Sequence, residues 1–209
     1  QDYFAQTLSN WQSKIKDIEV VKPIKSGKEA SVHLVLATLP GKKRSLYALK
    51  IYKENHLKTS NAQYLHGKYF KERSHRKAVA KRNKFGRDLI QKLWTRREFY
   101  MLDKLYKQGA KVPNVYEYTD NSILMEYLGD INNAAPKLNS VEIDSYYASK
   151  FFDDILYSIE IFLRNGIVHG DLSEHNILVW NKELYIIDFP QAIDIRKNEN
   201  ANNFLQRDI

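Results

Sequence analysis

Residues 167–195, IVHGDLSEHNILVWNKELYIIDFPQAIDI, constrain the fold of this chain more strongly than any other stretch. Short apolar runs typical of buried strands alternate here with polar loops. His169, Asp171, Asn176 and Asp188 lie close together at the ends of these predicted strands. Asp and Asn taken singly are common turn and cap residues. Their combination within twenty or so positions indicates a functional site instead.

Hydrophobic periodicity divides the chain into a strand-rich first half and a helix-rich second half. The predicted strands are 18–24, 30–37, 45–52, 115–118, 122–126, 177–180 and 184–188. The predicted helices are an N-terminal stretch ending at Lys16, residues 87–108, a long helix through 151–163 and a short helix near Phe204. In residues 87–108, Leu89, Leu93, Leu102 and Leu105 share one predicted face. We expect the apolar positions 151, 152, 155, 156, 159, 162 and 163 to form one buried stripe.

The positive charge of the chain is concentrated in one window. Residues 66–97 hold twelve Lys and Arg against only Glu72 and Asp88, whereas the whole chain has a formal net charge of +8. This window is suited to a polyanion such as RNA or a ribosomal particle, or to an acidic protein. The alternative interpretation is a solvated loop without a partner.

Composition restricts the class of protein. With 43% hydrophobic residues in 209, the chain can bury a core of its own. It has no cysteine, so disulfides and thiolate metal sites are excluded. No apolar run reaches the length of about 18 residues that a membrane span needs, and the first residues contain no apolar signal segment. We therefore expect a cytoplasmic protein without a membrane partner.

The polar loops of residues 167–195 suit divalent metal chemistry. Oxygen ligands that are few in number and completed by phosphate favour Mg²⁺. An Asn and an Asp can hold ions that bridge the phosphates of a nucleotide. A carboxylate left free of metal can orient or deprotonate a nucleophile. Phosphoryl transfer needs this division of roles.

The first half supplies a complementary positive charge. Lys50 lies in the apolar strand ALKIY, where an unpaired ammonium would be costly. Glu98 in the long helix is the expected partner, with Glu72 as the alternative. Between the first two strands, IKSGKEASV contains Ser26 and Gly27, whose backbone N–H groups can meet phosphate.

These residues resemble the protein-kinase superfamily. His169-Gly170-Asp171 with Asn176 resembles the catalytic loop, and Asp188-Phe189-Pro190 stands where the metal-binding Asp-Phe-Gly stands. The chain is most similar to the RIO family of atypical serine/threonine kinases, and to its bacterial members in style. This resemblance covers about residues 18–209 and rests on the motifs SGKEASV, ALKIYK, HGDLSEHNIL, LYIIDFPQAID and FLQRD.

The resemblance implies an α+β, bilobal kinase-like fold. An antiparallel N-terminal sheet with a long helix would form the N-lobe at 1–126, which includes the N-terminal helix and a basic insertion at 53–86. A smaller helical C-lobe would occupy 127–209. Because only about twenty residues follow Asp188, we expect the peptide-binding subdomain to be absent.

The same resemblance implies an ATP site that uses Mg²⁺ or Mn²⁺. Asp171 would be the catalytic base, and Asn176 and Asp188 would hold the metal. Lys50 would bind phosphate and be held by Glu98. The residues expected at the nucleotide through the loop or the hinge are Ser26, Gly27, Lys28, Glu29, Met125, Glu126 and Tyr127. We expect His169 to orient the loop, and Ser173 to position substrate or metal or to cap a helix.

Three departures from ordinary kinases carry expectations of their own. The nucleotide loop has a single glycine, so its contact with phosphate should differ. Gly170 replaces the arginine that would bind a phosphorylated activation segment, so that switch should be absent. Pro190 replaces a flexible glycine, which argues against a metal loop that flips.

Three functions remain open from the sequence. The first is a RIO-type serine/threonine kinase that phosphorylates itself and an unknown protein substrate, or a slow ATPase switch in ribosome maturation that is phosphorylated on Asp188. The second is a small-molecule phosphotransferase of the aminoglycoside or choline kinase type. The third is an RNA- or ribosome-binding module with a regulatory nucleotide site.

Overall fold

Five antiparallel strands form the largest sheet of the protein, in the order β1-β2-β3-β5-β4. We describe residues 2–15, 17–53, 84–195 and 201–208 from a computed structural model. The strands of this sheet are β1 (Ile18–Ser26), β2 (Ala30–Ala37), β3 (Ser45–Tyr52), β4 (Val115–Tyr118) and β5 (Ser122–Glu126). The predicted bounds of β2 to β5 are confirmed, and β1 extends two residues further than predicted.

Helix α1 (Asp2–Lys14) covers the core of this sheet. Trp11 is fully buried among residues of β2 and β3, and its indole Nε1 donates a 2.8 Å hydrogen bond to Ser122 Oγ. A buried indole N–H needs such a partner. The predicted N-terminal helix is confirmed, although it ends at Lys14 instead of Lys16.

The long helix α2 (Lys84–Lys107) begins three residues earlier than predicted. Leu102 and Leu105 are buried as expected. At the other end, Ile90 and Trp94 are buried, and the predicted core residues Leu89 and Leu93 are only partly buried against them. The core face of the first half of α2 therefore lies one residue further along the helix than the leucine pattern indicated.

The described chain divides into two compact units. The first unit contains residues up to Phe99 together with Val115–Tyr127, and the second contains Tyr100–Asn114 and the residues from Leu128 onwards. The predicted lobe division at residue 126 stays a prediction. Most of the predicted basic insertion, including Glu72, lies outside the described residues.

Short strands and helices build the second unit. They are a 3-10 helix (Leu138–Ser140), α3 (Ser145–Arg164), β6 (Ile167–Val168), a 3-10 helix (Glu174–Asn176), β7 (Ile177–Trp180), β8 (Glu183–Ile186), β9 (Ile193–Asp194) and α4 (Ala201–Asp208). Strand β6 pairs with β9 and β7 with β8, all antiparallel. The predicted hairpin and closing helix are confirmed, but β8 ends at Ile186, two residues before Asp188.

The predicted apolar stripe of α3 is only partly correct. Phe151, Ile161 and Phe162 are buried, whereas the side chains of Phe152 and Leu156 are 61% and 45% exposed. The buried residues follow a narrow strip along the helix, and Phe152 and Leu156 fall beside that strip. Asp144 caps the first turn of α3.

No helix in the described ranges is long and apolar enough to cross a membrane.

The packing of α1 yields a stability prediction. Trp11→Ala should lower the free energy of unfolding by about 3–5 kcal/mol, because it removes a fully buried aromatic side chain. Urea denaturation measures this change, and Gln12→Ala, at an exposed neighbouring position, should have little effect. A loss below about 1 kcal/mol in Trp11→Ala would contradict the assigned role of α1.

Candidate active site

The predicted site residues fall into two groups, one in each unit. In the first unit, Lys50 Nζ on β3 lies 2.8 Å from Glu98 Oε1 on α2. Both side chains are less than 10% exposed. Removal of two charges from water is favourable only when they pair closely. The expected partner of Lys50 is therefore Glu98, and the alternative, Glu72, is outside the described residues.

The predicted nucleotide loop is the short turn between β1 and β2. Ser26 ends β1, Lys28 is exposed, and Gly27 N donates a 2.9 Å hydrogen bond to Ala30 O. Gly27 does not have a positive φ, and a Cβ there would meet its nearest atom, Ala30 O, at 3.5 Å. The fold of the turn itself therefore does not require a glycine at position 27.

The predicted hinge residues lie at the end of β5. Met125 and Glu126 pair with Ala48 and Tyr47 of β3, and Tyr127 directly follows the strand. All three predicted hinge residues are partly buried. Strand pairing therefore fixes the backbone of Met125 and Glu126 in the first unit.

In the second unit, Asp171 and Asn176 are in direct contact. Asn176 Nδ2 donates hydrogen bonds to the backbone oxygen of Asp171 at 2.8 Å and to its Oδ2 at 3.1 Å. Asn176 is buried, whereas Asp171 is exposed. The amide thus holds an accessible carboxylate in one orientation. Ser173 precedes the 3-10 helix at the cap position, but its side chain makes no capping hydrogen bond.

Asp188 is joined to the same loop through the backbone. Ile187 N donates a 2.9 Å hydrogen bond to Asn176 O, so Asp188 directly follows the residue bonded to Asn176. Asp188 has a φ of +72° and is partly buried. A non-glycine residue in this region carries strain of roughly 1–3 kcal/mol, which persists where surrounding contacts determine the backbone. Such strain is concentrated at functional sites.

His169 connects the two loops. Its Nε2 lies 3.0 Å from Ile187 O, and its ring centroid lies 4.5 Å from that of Phe189. Because a carbonyl only accepts, Nε2 carries the proton. Burial lowers the pKa of His169, opposed by its hydrogen bond to Ile187 and by Asp208, Asp188 and Asp171. A neutral ring with Nδ1 unpaired among the described residues fits the expected orienting role.

Asp208, at the end of α4, was not predicted as a site residue. Its carboxylate accepts hydrogen bonds from Gly170 N at 2.6 Å and from Leu172 N at 3.1 Å, on either side of Asp171. The motif FLQRD contains Asp208, but the sequence indicated only a helix here and no contact for its carboxylate. No local pattern reveals this contact, because Gly170 and Leu172 lie 38 and 36 positions before Asp208 in the chain.

Gly170 is a glycine for a steric reason. Its φ is +80°, and a Cβ at this position would lie 2.8 Å from the backbone oxygen of Gln191. A side chain therefore cannot be added without moving the backbone that follows Pro190. The arginine found at this place in ordinary kinases would not fit this backbone.

The donor set of the second unit fits Mg²⁺. Asn176 Nδ2 is directed to Asp171, and no described residue donates a hydrogen bond to Asn176 Oδ1. Asn176 Oδ1 and the carboxylate of Asp188 are hard oxygen ligands. Within the described ranges, no group of three or more His, Cys, Asp or Glu side chains could hold a metal. Other oxygens, such as those of phosphate and water, would have to complete the coordination.

Residues 34–209 match the RIO domain family. The chain belongs to the RIO family. It is 31% identical over 188 residues to the RIO-type serine/threonine-protein kinase Rio1 of Haloferax volcanii, covering 89% of this chain and 59% of that protein. It is 32% identical over 177 residues to the protein of the same name from Thermoplasma acidophilum, covering 84% of this chain and 86% of that protein.

The family prediction is confirmed, but its finer part is not supported. The two Rio1 relatives above are archaeal, and a eukaryotic relative is serine/threonine-protein kinase RIO1 of Chaetomium thermophilum at 32% identity over 202 residues, with 91% of this chain and 38% of that protein covered. The similarity to bacterial members rested on the general appearance of residues 93–130.

Solved structures confirm the predicted α+β kinase-like fold. The crystal structure of a Rio2 kinase-ADP/Mg²⁺-phosphoaspartate complex from Chaetomium thermophilum matches this RIO chain with a TM-score of 0.67 and 23% identity. The match covers 99% of this chain and 57% of that one. The chain thus spans somewhat more than half the length of the Rio2 kinase chain and of the Haloferax relative.

The contacts of Asp208 yield a prediction about the loop around Asp171. Asp208→Ala should lower the free energy of unfolding by about 1–3 kcal/mol, because it leaves backbone donors without their acceptor. Hydrogen exchange of the Gly170 and Leu172 amides should accelerate. Asp103→Ala is the control, because it removes a carboxylate paired with Lys107 on the surface of α2. Unchanged exchange at both amides would contradict the assignment.

The burial of His169 yields a prediction about pH. Below pH 6.5, the ordinary pKa of histidine, His169 binds a proton in the unfolded chain, whereas in the folded chain burial disfavours protonation. The contribution of His169 is therefore complete above pH 6.5 and is lost as the pH falls toward its lowered folded-state pKa. The stability difference between wild type and His169→Asn should shrink between pH 7.5 and 5.5, without nucleotide or metal. The same comparison with His175→Asn, at an exposed position, is the control. A constant difference for His169→Asn would rule out this explanation.

Proposed function

We propose that this RIO chain is an ATP-dependent serine/threonine kinase that uses Mg²⁺ or Mn²⁺. The observation that carries the proposal is the contact between Asp171 and Asn176, with Asp188 joined to them through Ile187. The arrangement separates an exposed carboxylate from two potential metal ligands. Phosphoryl transfer depends on this separation, because catalysis here consists mainly of positioning and charge stabilisation.

Each residue has a defined part in the proposed reaction. Asp171 accepts the proton of a serine or threonine hydroxyl. The oxygen of that hydroxyl forms a bond to the γ-phosphorus. The bond from that phosphorus to the β–γ bridging oxygen breaks, and ADP leaves. Asn176 holds the carboxylate of Asp171 through Nδ2, and its Oδ1 and Asp188 would bind the metal. A bound divalent ion would neutralise the charge that develops on the phosphates.

The first unit would bind the nucleotide. Glu98 holds the Lys50 ammonium in place, so that it can bind phosphate oxygens without searching among rotamers. The turn at Ser26, Gly27, Lys28 and Glu29 would cover the phosphates. Gly27 supports this role. The packing of the protein leaves room for a Cβ at this position, so close approach of a ligand is a reason for a glycine here. Met125, Glu126 and Tyr127 would meet the adenine through their backbone.

A second outcome of the same site is phosphorylation of Asp188. The similar Rio2 crystal structure is named as a complex containing phosphoaspartate. In this chain, Asp188 would attack the γ-phosphorus, ADP would leave, and water would later release phosphate. The protein would then be a slow ATPase switch in a ribosome-related process. The strained backbone of Asp188 is compatible with a residue held for such a reaction.

Other elements of the earlier hypotheses remain proposals. The physiological acceptor would be an unidentified protein, and binding of RNA or a ribosomal particle would use residues 66–97. Most of that window is outside the described residues, and Lys92 within it pairs with Asp120 at 2.9 Å. A cytoplasmic location belongs to the same proposal. A small-molecule phosphotransferase is less favoured, since the relatives reported above are named protein kinases.

The test uses γ-labelled ATP with Mg²⁺ or Mn²⁺. Asp171→Asn should reduce labelling at least about 100-fold, the scale on which a catalytic proton acceptor acts. Asp188→Asn should also reduce labelling, because it removes a proposed metal ligand. Asp153→Asn, at an exposed position of α3, is the control and should leave labelling unchanged. Wild type and variants should show similar folding by circular dichroism.

The chemistry of the label separates the possible outcomes. An acid-stable label on serine or threonine supports the kinase. A hydroxylamine-sensitive label with phosphate release, lost in Asp188→Asn, supports the aspartyl-phosphate switch. Nucleotide binding by the folded protein, without label or phosphate release, contradicts both.

A further inference from the structure

Lys53, the residue directly after β3, is bonded to the nucleotide turn at three points. Its Nζ lies 2.6 Å from Gly27 O and 3.1 Å from Ser26 Oγ, and its backbone N donates to Glu29 O at 2.8 Å. All these residues belong to the first unit. Sequence reasoning identified Lys50 and Lys28 as cations of this region but did not identify Lys53.

Strand pairing holds the two sides of the turn, because regular pairing of β1 with β2 resumes before the turn, at Ser26 and Ser31. The middle of the turn is bonded by Lys53, which donates to the carbonyl oxygens of Gly27 and Glu29. Lys53 therefore helps to hold the turn in one shape, because a hydrogen bond from an ammonium is about twice as strong as a neutral one.

The ammonium also changes the electrostatics of the turn. The carbonyl oxygen of Gly27 carries partial negative charge, which would repel the phosphates of a nucleotide. Lys53 Nζ, at 2.6 Å, occupies that oxygen and offsets its charge. The backbone N–H groups of a turn bind anions best when no carbonyl competes with them.

We propose that Lys53 is a positioning residue for the phosphate-binding turn and sets the affinity of this protein for the phosphate part of its nucleotide. This inference rests on the proposed function, because it assumes that the turn covers the phosphates. Lys53 acts through Ser26, Gly27 and Glu29. It differs from Lys50, whose ammonium is paired with a carboxylate and is proposed to contact the phosphates directly.

The inference predicts a loss of affinity that depends on phosphate. Lys53→Met retains much of the apolar stem but removes the ammonium, so the Kd for ATP with Mg²⁺ should rise about tenfold. The Kd for adenosine should change less than twofold, because adenosine lacks the phosphates that the turn is proposed to cover. Lys53→Arg keeps a charged donor and should bind ATP within about threefold of wild type. Calorimetric titration of the full chain measures these values.

The matched control is Lys43→Met. Lys43 is an exposed lysine two residues before β3, at the other end of the same strand, and its loss changes the net charge equally. ATP binding by Lys43→Met should equal that of wild type. Thermal unfolding without nucleotide should give midpoints within about 2 °C for all folded variants.

The outcomes distinguish the two levels of the proposal. If wild type does not bind ATP, the proposed function fails and this inference fails with it. If wild type binds ATP and Lys53→Met binds it equally well, only the inference is wrong. A Lys53→Met variant that fails to fold, or that loses ATP and adenosine affinity equally, assigns Lys53 a general structural role and overturns the inference.

Discussion

The buried ion pair between Lys50 and Glu98 is the interaction on which the first unit depends. It joins the central strand of the sheet to the long helix, and both groups are almost completely removed from water. Breaking such a pair by removing one partner typically costs about 3–5 kcal/mol, because a charge is then buried alone. The pairing therefore determines where α2 lies against β3. It also fixes the ammonium that the proposed reaction uses.

The second unit positions its proposed catalytic carboxylate, Asp171, through hydrogen bonds. A network of backbone contacts holds the loop that contains Asp171, with Asn176, His169 and Asp208 as the side chains that bond it. These bonds connect a side chain to a backbone atom, and Asn176 Nδ2 also donates to the carboxylate of Asp171 at 3.1 Å. A carboxylate that must accept a proton can therefore stay accessible, because neighbouring residues and not its own burial determine its position.

Much of the candidate site followed from the sequence, since its residues occur in compact motifs. The pairing of Lys50 with Glu98 was predicted because a lysine in an apolar strand needs a carboxylate. Asp171 and Asn176 were placed together because five positions in a tight loop cannot separate far. Asp208 and Lys53 escaped this reasoning. An Asp at the end of a polar helix and a Lys after a strand look like solvated residues until their partners are known.

The sequence by itself determined the elements and the family, because strand and helix periods and short motifs are local properties. Strands β2 to β5 have the predicted bounds for that reason. Only the tertiary structure decided which face of α3 is buried, which nitrogen of His169 carries its proton and what the carboxylate of Asp208 binds. Those outcomes depend on distances between residues far apart in the chain. Packing establishes such distances, and no local pattern of residue types encodes them.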